Sequence, residues 1–175
     1  TSLYQSFKKY NLGKEIVHHH FNRGHHWQLE RQYRQTFGAE SEYLLYKITF
    51  LLEKAKELDS EYVVFCDAND VTCFTSIDDL PNQFDLENFI IIGHEKNMWP
   101  TPERKLTWPD YVDYNETHMS NRTFLNSGMI LAKTEKYVEL LQSLVDNVLS
   151  TGISTFSNDQ GAFTYYYNKG FTPTI

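Results

Sequence analysis

Tyr62-Val63-Val64-Phe65-Cys66 is an unbroken run of strand-forming residues that ends directly on Asp67-Ala68-Asn69-Asp70. A short run of this kind, with no polar alternation, reads as a strand covered on both faces. Such a strand needs layers above and below it, and the flanking sequence supplies them. From about Ser41 to Leu58, the residues Leu44, Leu45, Ile48, Leu51, Leu52 and Ala55 recur at helical spacing, with Glu53, Lys54, Lys56 and Glu57 on the other face. Asn88 to Gly93 holds a second apolar run, Phe89 to Ile92, and Phe124 to Ala132 a third, Met129 to Ala132. Thr134 to Leu149 predicts an amphipathic helix with Tyr137, Leu140, Leu141, Leu144, Val145 and Val148 inward, and Asp159 to Tyr167 a short helix stopped by Asn168-Lys169-Gly170. This order predicts an α/β fold: a mostly parallel sheet with helices on both faces.

The rest of the chain adds smaller elements. Thr1 to Tyr10 predicts the end of a helix with Leu3, Phe7 and Tyr10 on one face, stopped by Asn11-Leu12-Gly13. Glu15-Ile16-Val17 opens a short strand, Asn22 to Gly24 marks a turn, Ile77 to Pro81 a capped turn or short helix, and Pro100 to Pro109 a loop. At 175 residues, one domain is expected over 1–175. No run approaches the roughly 18 apolar residues of a membrane span. A net charge of −7 argues against a nucleic-acid partner held by phosphate neutralisation. Two cysteines make no disulfide scaffold, and Cys66 reads as a core thiol.

In open α/β sheets chemistry sits beyond the carboxyl ends of strands, which directs attention to Asp67 and Asp70. Two carboxylates at a strand end are costly unless a cation neutralises them, and oxygen ligands suit Mg²⁺ or Mn²⁺ with phosphate oxygens as partners. The plain alternative is an Asx-type turn closing the strand. Haloacid-type phosphatases share the outline, but they place their two Asp residues two apart, and here they are three apart. Asn126-Ser127-Gly128 is a small, hydrogen-bonding tripeptide that lets backbone approach a ligand, or else a turn into a strand. Asp159 is a candidate site carboxylate or a first-turn residue stabilised by the helix dipole. His18, His19, His20, His25 and His26 invite a zinc reading, but adjacent strand residues alternate faces and cannot all converge. Asn115-Glu116-Thr117 and Asn121-Arg122-Thr123 are glycosylation sequons, meaningful in a secretory-pathway protein and accidental in a bacterial or viral cytoplasm.

Phe65 to Val71 resembles the Asp-x-x-Asp motif of the glycosyltransferase domain in procollagen lysyl hydroxylase/glucosyltransferases and related collagen hexosyltransferase-like proteins. Four further stretches follow the same family's order: Gly24 to Trp27, Gly93 to Pro100, Phe124 to Ile130 and Asn158-Asp159-Gln160. Asn158, Met129 and His94 depart from its pattern. The resemblance implies a GT-A fold and transfer of a hexose, glucose or galactose, from a UDP-sugar to a protein or glycan hydroxyl. It implies Mn²⁺, or Mg²⁺, held by Asp67 and Asp70. It implies a donor pocket of Lys47, Asp67, Ala68, Asn69, Asp70, Trp99, Asn126, Ser127 and Gly128, with Asp159 and Gln160 at the reacting sugar. A domain of the same fold that has lost turnover, and serves binding or structure, is the alternative. The resemblance also implies a strand before Thr1 and a third metal ligand, a histidine, beyond Ile175. None of the seven histidines follows His118, so the chain reads as the middle of such a domain, cut at both ends.

Overall fold

The computed structural model describes residues 2–11, 43–67, 71, 73–74, 76–95, 124–151, 159–160 and 163. Its elements are α1 (Ser2–Tyr10), α2 (Tyr43–Lys56), β1 (Tyr62–Cys66), α3 (Leu80–Gln83), β2 (Ile91–Glu95), β3 (Phe124–Lys133) and α4 (Thr134–Thr151). The expected strand at 15–17, the histidine cluster, the Gly24–Trp27 stretch, the 100–109 loop and both sequons lie outside the described residues.

The sheet departs from expectation. Its order is β1-β3-β2, and β3 runs antiparallel to both neighbours. Among the described residues no adjacent strands are parallel. An apolar run reports burial on both faces and carries no information on direction. Two strands of like direction with a third of opposite direction between them satisfy the same pattern. The central strand fits the pattern best: Ile130 and Ala132 are buried on one face and Leu131 on the other. β1 is half-buried throughout. β2 also begins later than predicted. Asp85 accepts from the Phe89 and Asn88 backbone N–H groups and closes a turn, so Ile90 reaches the core from outside the strand while Phe89 is exposed.

The helices follow their periodicity. Ile48, Leu52 and Ala55 of α2 meet Tyr137, Leu140, Leu141 and Leu144 of α4, and Ile130 and Ala132 of β3 close the cluster with Ile90 and Phe163. Each buried leucine or isoleucine of this cluster contributes about 1.5–3 kcal/mol relative to exposure. The α4 start is tied to the β1 start: Thr134 donates its N–H to Glu61 O at 2.9 Å and its hydroxyl to Ser60 O at 2.6 Å. On α1, Leu3 and Phe7 are half-buried but Tyr10 is exposed. Asn11 stops that helix and is itself buried. Its Oδ1 accepts from the Ile77 N–H at 2.7 Å, and its Nδ2 donates to Phe7 O at 3.3 Å. Helix α1 thereby holds the segment that follows the acidic motif.

A carboxylate pair sharing one buried lysine

The site begins where β1 hands the chain to Asp67. The Asp67 N–H donates to Gly128 O at 2.8 Å, adding one rung beyond the Cys66–Met129 pair. The carboxylate therefore stands on a fixed backbone at the strand end.

Across the sheet, β3 does something a regular strand does not. Ile92 of β2 pairs with Ile130, yet the next residue, Gly93, pairs with Asn126. Ser127, Gly128 and Met129 thus have no partners on β2 and form a wide bulge, a device that re-aims side chains beside functional sites. The bulge is closed by an Asx-type turn, with the Gly128 N–H donating to Asn126 Oδ1 at 2.8 Å. Gly93 makes room beneath it, because a Cβ there would stand 3.3 Å from Asn126 O and 3.4 Å from Met129 O. Gly128 makes room inside it, because a Cβ there would stand 2.9 Å from Asn126 Oδ1 and 3.0 Å from Asp67 Oδ2.

Lys47 of α2 binds the parts together. Its Nζ donates to Asp67 Oδ1 at 2.8 Å and to Asp159 Oδ2 at 2.7 Å. The buried Ser127 hydroxyl donates to the same Asp159 Oδ2 at 3.1 Å. The Phe65 ring lies below the ammonium, 5.1 Å from centroid to Nζ, as a cation–π floor. Side-chain exposure is 13% for Lys47 and 11% for Asp159, but 45% for Asp67. Burial alone would favour neutral Lys47. The carboxylates of Asp159 and then Asp67 outweigh it and hold the ammonium above its ordinary lysine range. One positive charge faces two negative ones, so the cluster keeps a net negative charge.

The structure thus brings together Lys47, Asp67, Asn126, Ser127, Gly128 and Asp159, with Gln160 buried beside Asp159. Lys47 is not a solvated helix residue. Ala68, Asn69, Asp70, Trp99 and Asn158 lie outside the described residues. Sequence reading placed Phe65 and Tyr137 only as core, and overlooked Gly93 as the space beneath the bulge. The available signal for Tyr137 was one phenol in an otherwise leucine-rich inward stripe. Cys66 and Cys73 are free thiols, and burial, with Asp67 and Cys73 adding to it, pushes the Cys66 thiol up to about 11. Cys66 is half-buried, outside the core cluster, and has little thiolate to react.

For a hard divalent cation the described donor set is partial but of the right chemistry. Asp67 Oδ2 takes no hydrogen bond among the described residues, and it borders the space that Gly128 leaves open. No group of three or more His, Cys, Asp or Glu side chains gathers among the described residues.

Filling that space is a test of the bulge. Gly128→Ala is expected to displace the Asn126 or Asp67 side chain, since each is only a flexible end, and to spare the sheet. The loss in urea denaturation should be near one hydrogen bond, about 1 kcal/mol. A loss several times larger would mean that Gly128 supports the sheet itself.

The described cluster is an acidic strand end, a glycine-containing bulge and a second carboxylate, Asp159, joined through Lys47; comparison with known proteins supplies the class. The family model described as the PLOD GT domain matches residues 1–169. The chain belongs to this PLOD glycosyltransferase-domain family, and the phosphatase reading loses its basis. No curated protein and no solved structure matches it. No described helix is long and apolar enough to cross a membrane.

Proposed function

We propose that this domain transfers a hexose, glucose or galactose, from a UDP-sugar to a hydroxyl of a protein or glycan acceptor, in a metal-dependent reaction. The observation that supports this reading best is the Lys47 bridge, which draws the carboxylate after β1 and the carboxylate at residue 159 into one cluster beside the bulge. In the reaction the bond from the anomeric carbon to the UDP oxygen breaks. The UDP oxygen leaves with the electron pair of that bond, and the acceptor oxygen bonds to the carbon while its proton passes to a carboxylate of the site or to solvent. Asp67, together with Asp70, would hold Mn²⁺ or Mg²⁺, whose charge would offset that of the diphosphate leaving group. Lys47 holds Asp159 in place by a 2.7 Å hydrogen bond, and a diphosphate entering beside Asp67 competes for its ammonium. Asp159, buried and fixed by Ser127 and Lys47, is suited to orient the acceptor hydroxyl or to face the anomeric carbon. The bulge backbone and Trp99, with Ala68 and Asn69, would complete the donor pocket, and Gln160 would support Asp159.

One observation favours a second reading. Two of the three Lys47 N–H donors are taken by carboxylates, which leaves less of its charge for a donor diphosphate and suits a domain that binds a nucleotide sugar without turning it over. Two measurements separate these readings. Calorimetry with UDP, with and without Mn²⁺, should show Mn²⁺-dependent binding, and its absence would remove both. UDP release from UDP-glucose and UDP-galactose in a coupled assay should then exceed the protein-free rate. Binding without release would leave the binding module.

A further inference from the structure

Tyr137 presents a buried polar group that has no partner among the described residues. It stands in the first turns of α4 and is 2% exposed. Its hydroxyl makes no hydrogen bond among the described residues. A buried donor left unmade lowers stability, and phenylalanine would fill the same space without that penalty. Stability therefore gives no reason for the hydroxyl.

Its place in the fold does give one. The Tyr137 ring belongs to the core cluster with Ile48, the neighbour of Lys47, with Phe163, one helical turn beyond Asp159, and with Ile130, two residues beyond Gly128. The elements that deliver Lys47 and Gly128, and the segment that carries Asp159, thus share one buried cluster with this ring. Burial, and after it the negative charges of Asp159 and Asp67, hold the phenol protonated, so it is a neutral donor under working conditions. Asp159 takes both its hydrogen bonds, from Lys47 and Ser127, on Oδ2, and Oδ1 takes none among the described residues.

We propose that Tyr137 is a positioning residue whose hydroxyl donates to the Asp159 carboxylate in the donor-bound state. In the free protein Lys47 serves both carboxylates. A diphosphate bound beside Asp67 draws on the same ammonium, and Asp159 then loses a donor while remaining buried. Tyr137 supplies the replacement and keeps the carboxylate oriented. The inference rests on the glycosyltransferase reading above. It assigns to the hydroxyl an effect opposite in sign on the free and the bound protein.

The test is Tyr137→Phe in the whole chain, with thermal melting of the free protein and calorimetry of UDP in Mn²⁺. The free variant should melt at the same or a higher temperature, and its affinity for UDP should fall about tenfold, one bound-state hydrogen bond. A purely structural tyrosine would lower melting temperature and affinity together, and that result overturns the inference. So does unchanged affinity, which would leave the hydroxyl idle or watered in both states. A wild-type protein that binds no UDP would overturn the functional reading, and this inference with it. A variant that binds like a competent wild type removes this inference alone.

Discussion

Asp67→Ala is expected to lower the affinity for UDP in Mn²⁺ by about 100-fold while leaving the fold nearly as stable as before. Changing an outer partner of a metal site commonly costs 10–100-fold in affinity, so a directly ligating carboxylate belongs at or beyond the upper end of that range. The structural side of the substitution is small for a specific reason. Asp67 is 45% exposed, so its ion pair with Lys47 is screened by solvent. Lys47 keeps its second and more buried partner, Asp159. A screened pair contributes at most about 1 kcal/mol. Calorimetry with and without Mn²⁺, beside a urea denaturation curve, separates the two effects. Equal UDP affinity in the variant and the wild type would take the metal–diphosphate role away from this carboxylate.

Lys47→Met is expected to do the reverse and damage the fold first. Methionine is unbranched and similar in length, so it fills most of the space, but among the described residues it leaves buried Asp159 with the Ser127 hydroxyl as its one donor. Removing one partner of a buried ion pair costs about 3–5 kcal/mol, because the remaining charge is uncompensated. We expect about 3 kcal/mol by urea denaturation at pH 8, the low end, since Asp67 is partly solvated. A loss below about 1 kcal/mol would mean that solvent already compensates Asp159. The pH dependence has a definite sign. The folded lysine holds its proton more tightly than an unfolded one, whose pKa is about 10.4. Its contribution is therefore complete below that value and is lost as pH rises through the higher folded one. The gap between wild type and Lys47→Met should narrow above about pH 10.5.

What could be read in advance and what could not divide along physical lines. The β1 limits, the α2 and α4 stripes and the Asp159 helix position were legible, because each rests on local periodicity or on an abrupt change from apolar to charged residues. Strand direction was not, because Phe89 to Ile92 reads the same whichever way its neighbour runs. The start of β2 was misjudged because Asp85 closes a turn that claims Phe89 and leaves Ile90 as an anchor. Asn126-Ser127-Gly128 was recognisable as a tripeptide that lets backbone come close. That it forms a bulge, bonded to β1 and skipped by β2, depends on two ladders at once. The Lys47 bridge joins residues 20 and 112 positions apart, and no local pattern reports such a meeting. The family resemblance supplied the names of those residues. The structure supplied their common contact.

The bulge has a consequence for where this domain tolerates substitution. Ser127, Gly128 and Met129 stand outside the β2 ladder, while their β1-side rungs continue to Asp67. Cohesion of the sheet and shape of the ledge are thus written in different residues. Met129, 48% exposed on that ledge, can be exchanged without reaching the core. Substitution at such a position alters the surface of the ledge and leaves the helix–sheet core unchanged.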